Sequence, residues 1–140
     1  MLIALSFLAL LAGGNTVHFP GGRIDLPIGC SGPDRIRIAV DAFAGQIGCS
    51  NNELSIQVFG STIAGPACEV AQAAGDAVSS RSRSGSPLVV CTYEEKGEAR
   101  RGSKLMIIDL GVGWLTADIK RPQDVVVLLQ VATGFSPSKE

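Results

Sequence analysis

Short apolar–polar alternations, each cut off by glycine or proline, constrain this chain more than any other feature. Arg35–Val40 reads RIRIAV. Ile36, Ile38 and Val40 share one face and Arg35 and Arg37 the other, which predicts a half-buried strand. Leu54–Phe59 (LSIQVF) alternates in the same way, with Leu54, Ile56 and Val58 inward. Pro87–Tyr93 and Lys104–Asp109 also read as strands, and Val17–Leu26 (VHFPGGRIDL) reads as a hairpin about Pro20-Gly21-Gly22. With 17 glycines and 7 prolines in 140 residues, the elements must be short and the turns many.

Between these strands Ala42–Asn52 is rich in glycine and polar residues and predicts a loop. Pro66 opens a predicted helix that runs to about Ser80, because Ala67, Val70, Ala71, Ala74, Ala77 and Val78 follow helical spacing. Gly75 weakens that helix. Ser79–Ser86 (SSRSRSGS) predicts a polar loop, either a solvated basic patch or a site of modification. Gly111–Ile119 predicts a short helix; its G-x-G lacks the third glycine of a dinucleotide fingerprint. Pro122–Ala132 is either a helix opened by proline or a buried strand, and residues 134–140 predict a frayed tail. Strands without regular βα alternation point to an α+β chain, mainly β. The natural architecture is a small OB-like barrel of five strands with one to three packed helices, one domain over residues 15–133.

Composition sets the compartment and excludes some partners. The chain is 46% hydrophobic and 18% charged, which excludes intrinsic disorder. A net charge of −1 gives no molecule-wide basic field. Met1–Ala12 (MLIALSFLALLA) is too short to span a bilayer and matches the apolar core of a signal peptide over residues 1–14. The basic residues that usually precede such a core are missing, and a buried first strand or helix is the other reading. Cys30, Cys49, Cys68 and Cys91 form an even set with no CxxC. Two disulfides fit them better than a zinc site, in any of three pairings. The expectation is a secreted or periplasmic protein; four buried thiols in a cytoplasmic one is the alternative.

The order of these pieces resembles the thermonuclease family, the staphylococcal-nuclease-like OB-fold phosphodiesterases, over about residues 15–120. Val17–Leu26 is similar to that family's V-x-D-G-D-T-I-x-V hairpin, and Arg35–Asp41 (RIRIAVD) to its R-L-x-G-I-D strand. Gly65-Pro66-Ala67 stands where the family begins a helix, and Leu88–Leu105 resembles its strand, K-G turn and R-Y-G-R-x-L-A segment. The resemblance implies metal-assisted phosphodiester hydrolysis with Ca²⁺ as cofactor. In such chemistry carboxylates hold the ion, a glutamate orients water, and two arginines clamp the phosphate.

Carried over position by position, this machinery is depleted. The hairpin carboxylates fall on Pro20 and Gly22, with Asp25 the nearest acid. Asp41 matches the second aspartate, Ala44 replaces the glutamate, and Arg37 matches the first arginine. The second arginine falls near Ser103, beside Arg100, Arg101 and Lys104. The implied catalytic set is Arg37, Asp41 and Arg101, with Asp41 and Asp25 for metal. Arg35, Arg81, Arg83, Lys96, Arg100 and Lys104 are the implied binding residues. Hydrolysis of DNA or RNA is thus expected to be weak or lost. A non-catalytic OB-fold module that binds single-stranded nucleic acid or another polyanion is the alternative. Cys30–Tyr93 is also similar to galactose/rhamnose-binding lectin domains in its cysteine–aliphatic spacing, although half of that family's cysteines are missing. A secreted lectin-like protein is the third reading.

Overall fold

The computed structural model describes residues 15–51, 53–61, 65–94 and 104–138. Thr16–Phe19 (β1) and Gly22–Asp25 (β2) form the expected hairpin, in register Val17↔Ile24 and His18↔Arg23. Phe135–Pro137 (β11) adds to the other side of β2, so this first sheet runs β1-β2-β11. The expectation of a frayed tail is corrected for these residues. Phe135 is only 1% exposed, and burial of its ring together with pairing to β2 holds these residues in place.

The second sheet has eight antiparallel strands. Cys30–Ser31 (β3), Ala42–Cys49 (β5), Leu54–Ser61 (β6), Val78–Arg81 (β7), Pro87–Glu94 (β8), Lys104–Asp109 (β9) and Trp114–Ile119 (β10) run in the order β3-β5-β6-β10-β9-β8-β7. Arg37–Ile38 (β4) pairs with β5 beside β3. Leu54–Phe59, Pro87–Tyr93 and Lys104–Asp109 are strands as expected. Arg35–Val40 is one only at Arg37–Ile38.

Three expectations are corrected. Ala42–Asn52, read as a loop, carries the eight-residue β5; Phe43, Ile47 and Cys49 point into the core, and Gly45 fills the inward position between them. A glycine is required there because the Ile36 side chain occupies the space a Cβ would take. Gly111–Ile119, read as a helix, carries β10, whose Leu115 and Ala117 are buried between β6 and β9. The Pro66–Ser80 helix shrinks to Glu69–Ala73 (α1), because Gly75 at φ +79° ends it and Val78–Arg81 pairs with β8. Pro122–Ala132, left open, is helix Pro122–Thr133 (α2).

The fold is therefore mainly β with two helices among the described residues, but no closed five-stranded barrel forms. Instead one face of the large sheet packs on the small sheet and α2 in a core that includes Ile24, Ile56, Val58, Ile108, Leu128 and Phe135. Its other face carries α1 over Cys91 and Ile107. A lone parallel bridge, His18↔Arg35, ties the edge of the small sheet to the segment leading into β4.

Two disulfides settle the cysteine pairing. Cys30–Cys49 joins directly opposed residues of β3 and β5, and Cys68–Cys91 fastens the start of α1 to β8. Among the described residues, no helix is long and apolar enough to cross a membrane. Residues 1–14, the expected signal segment, lie outside the described residues.

Candidate functional site

The β1–β2 turn dictates the site. Pro20 and Gly21 form the two-residue connection, with Gly21 at φ +98°, and that short loop fixes the register that sets His18 opposite Arg23. On the far side of β2, Ser136 stands opposite Arg23. On the near side the parallel bridge sets Arg35 beside His18: the His18 amide donates to the Asp34 carbonyl (2.8 Å), and the Ile36 amide donates to the His18 carbonyl (2.8 Å).

The result is a row across four strand segments, Arg35–His18–Arg23–Ser136, on the solvent face of the small sheet. Val17, Phe19, Ile24 and Phe135 fill the opposite face. At the strand spacing of about 4.8 Å the row spans roughly 14 Å. Like charges side by side on a sheet are destabilising. Among the described residues, neither Arg23 nor Arg35 is engaged by a carboxylate. Asp25, the nearest acid on β2, accepts a hydrogen bond from the Thr16 hydroxyl (2.8 Å).

A cavity of about 710 Å³ opens over the His18–Arg23–Ser136 part of this row, lined also by Ser84 and Ser138 among others, and Arg35 is outside its lining. Its far wall is the β7–β8 turn. The Ser84 hydroxyl donates to the Phe135 carbonyl (2.9 Å), and the Arg83 amide donates to the Thr133 carbonyl (2.9 Å). Ser82, 6% exposed, shapes the turn by accepting from the Ser86 amide (3.1 Å). The row thus ends on hydroxyls and the exposed Arg83. Among the described residues, one guanidinium, an imidazole and three serine hydroxyls around a concavity whose lining holds no acid suit an anion.

The residues expected to carry chemistry are dispersed. Arg35 belongs to the row. Arg37, two residues on, pairs with Ala44 and lies on the outer face of the large sheet. Asp41 lines a separate cavity with Pro20 and Gly21 at the tip of the hairpin, whereas Asp25 sits at its base, three residues or about 10 Å back along β2. The two acids expected to share a metal are therefore not brought together. Among the described residues, no group of three or more His, Cys, Asp or Glu side chains could hold a metal ion.

Arg81 donates to the Gly85 carbonyl (2.9 Å) and stays exposed in β7, and Lys104 opens β9 at the opposite end of the large sheet from the hairpin tip. Lys96, Arg100 and Arg101 lie outside the described residues. His18, Arg23, Ser84 and Ser136 were not expected. The signal for the first two was present: once Pro20-Gly21 is the turn, counting outward pairs His18 with Arg23. Ser136 and Ser84 depend on the return of the C-terminal strand, which no local pattern announces. Comparison with known proteins finds no matching family model, no matching curated protein and no matching solved structure.

Proposed function

We propose that this chain is a non-catalytic binding module for an anionic ligand, working outside the cytoplasm. The observation that carries the reading is the cavity lined by His18, Arg23, Ser84, Ser136 and Ser138, with Arg35 continuing the row beyond His18 and the exposed Arg83 adjoining Ser84. The two disulfides fit an extracellular or periplasmic location. A net charge of −1 makes the attraction local to this face, which favours a ligand whose charges are spaced along one surface.

The test is binding of heparin and of a labelled single-stranded oligonucleotide across a salt series. Three phosphate contacts on a single strand give a slope of log affinity against log salt of about −2, and each arginine removed lowers it by roughly 0.7. Arg23→Gln and Arg35→Gln are expected to weaken binding and flatten the slope, with melting temperature unchanged or slightly raised as like-charge repulsion is relieved. No binding of either probe at low salt refutes the reading.

The thermonuclease-like alternative makes a different demand: cleavage of the oligonucleotide with Ca²⁺, abolished by a chelator and by Asp41→Ala. A lectin-like activity would instead retain the protein on a galactose column.

A further inference from the structure

Among the described residues, the end of the molecule beyond the basic row carries exposed apolar side chains that nothing covers. Val40 is 97% exposed, Ile38 67% and Val112 40%. With Pro20 they rim a shallow cavity of about 360 Å³. Pro20, Val40 and Val112 come from three separate connections, β1–β2, β4–β5 and β9–β10, and Ile38 ends β4; they meet at one end. The Gly21 and Val112 backbones come so close that a Cβ on Gly21 would stand 2.8 Å from the Cβ of Val112.

The position of the charges says what this tip meets. His18 and Arg23 lie two residues behind the turn, roughly 7 Å back along the strands, with Arg35 beside them. Arg37 directly precedes Ile38. Amphipathic elements at a bilayer surface bury apolar groups about 5–10 Å deep, with cations at headgroup level. Spacing and sign both match. One acid, Asp41, stands at the tip and has an interaction of its own.

We propose that this end docks on an anionic lipid surface, the Pro20–Ile38–Val40–Val112 tip entering the interface and Arg23, Arg35 and Arg37 meeting the headgroups. The proposal rests on the anion-binding reading above and names the partner. A soluble polyanion could use the row but has no use for the apolar tip, so the two sources separate by experiment.

The experiment is co-sedimentation of the intact, oxidised protein with vesicles of phosphatidylcholine alone or with about a third phosphatidylserine, run beside heparin binding. Wild type is expected to bind the anionic vesicles and not the neutral ones. Val40→Asp, at a fully exposed position, is expected to lower vesicle partitioning roughly tenfold and leave heparin binding intact; Val40→Trp is expected to raise partitioning several-fold. Arg23→Gln and Arg35→Gln are each expected to cost about fivefold on both probes.

Heparin binding without vesicle binding overturns the lipid proposal alone. Equal partitioning of wild type and Val40→Asp overturns insertion of the tip. A concentration-dependent dimer that Val40→Asp dissolves, without vesicle binding, overturns the proposal in favour of a second copy as the occupant. Loss of both probes refutes the anion-binding reading as well.

Discussion

Asp124 is the one buried acid among the described residues. It is 3% exposed at the start of α2, and its carboxylate accepts from the Lys120 amide (3.1 Å), the Arg121 amide (3.0 Å) and the Arg121 guanidinium (3.0 Å). Burial pushes its pKa up, but these donors together outweigh burial and hold it below the ordinary 3.8. The folded state therefore binds this proton less tightly than the unfolded chain does. Its stabilising contribution is complete above the unfolded value and is lost as acid carries the pH down through the lower folded value. Asp124→Asn is expected to cost about 1–2 kcal/mol at neutral pH and to remove that part of the acid sensitivity, read from urea melts between neutral pH and the acid limit. Pro122 and Asp124 were legible as a helix start, which is why α2 stood among the two readings of that segment. The carboxylate's burial was not, since it depends on the β10–α2 corner.

At the level of elements, legibility followed side-chain bulk. Leu54–Ser61 announces itself because large apolar residues recur at every second position from Leu54 to Val58, and Lys104–Asp109 because Leu105–Ile108 is an unbroken apolar run. In β5 the same alternation is interrupted by Gly45 and Gly48, so the strand looks like a loop until Ile36 is seen lying over Gly45. In β10 leucine and alanine carry helical propensity, and pairing to β6 and β9 overrides it. Gly60 shows the same logic in a strand that was legible: the Phe43 ring lies where its Cβ would be. Gly60→Ala is accordingly expected to overpack the core by about 1–3 kcal/mol and to lower the melting temperature by roughly 5 °C or more in a thermal melt. The row of Arg35, His18, Arg23 and Ser136 was half legible for a related reason. A hairpin register can be counted from its turn, but a parallel bridge and a returning C-terminal strand connect residues that no window contains.

Across the whole molecule the disulfides serve different layers. Cys30–Cys49 pins a two-residue strand to the main core, whereas Cys68–Cys91 secures α1 over a small cluster on the opposite face. Sequence separations of 19 and 23 correspond to about 3 kcal/mol each by chain-entropy reasoning. A domain of this size has about 5–15 kcal/mol to lose. Reduction of both is expected to bring the protein close to unfolding at ambient temperature, followed by circular dichroism with and without reductant. Removing Cys68 and Cys91 as a pair is expected to loosen α1 while the main core survives, visible as selective hydrogen exchange at α1. The same view explains why the fold differs from the barrel suggested by its hairpin and strand motifs. Those motifs are local, and closure depends on how many strands pair between them.

An open sheet of eight strands must also deal with its margins. At one margin β7 presents Val78, Ser79, Ser80 and Arg81, all exposed. A serine-rich strand ending in a cation is a poor template for a neighbouring chain, because stacking another copy there would cover hydroxyls and confront like charges. Ser79, Ser80 and Arg81 thus make this border a poor seed for fibrillar growth, which a longer, greasier border would invite.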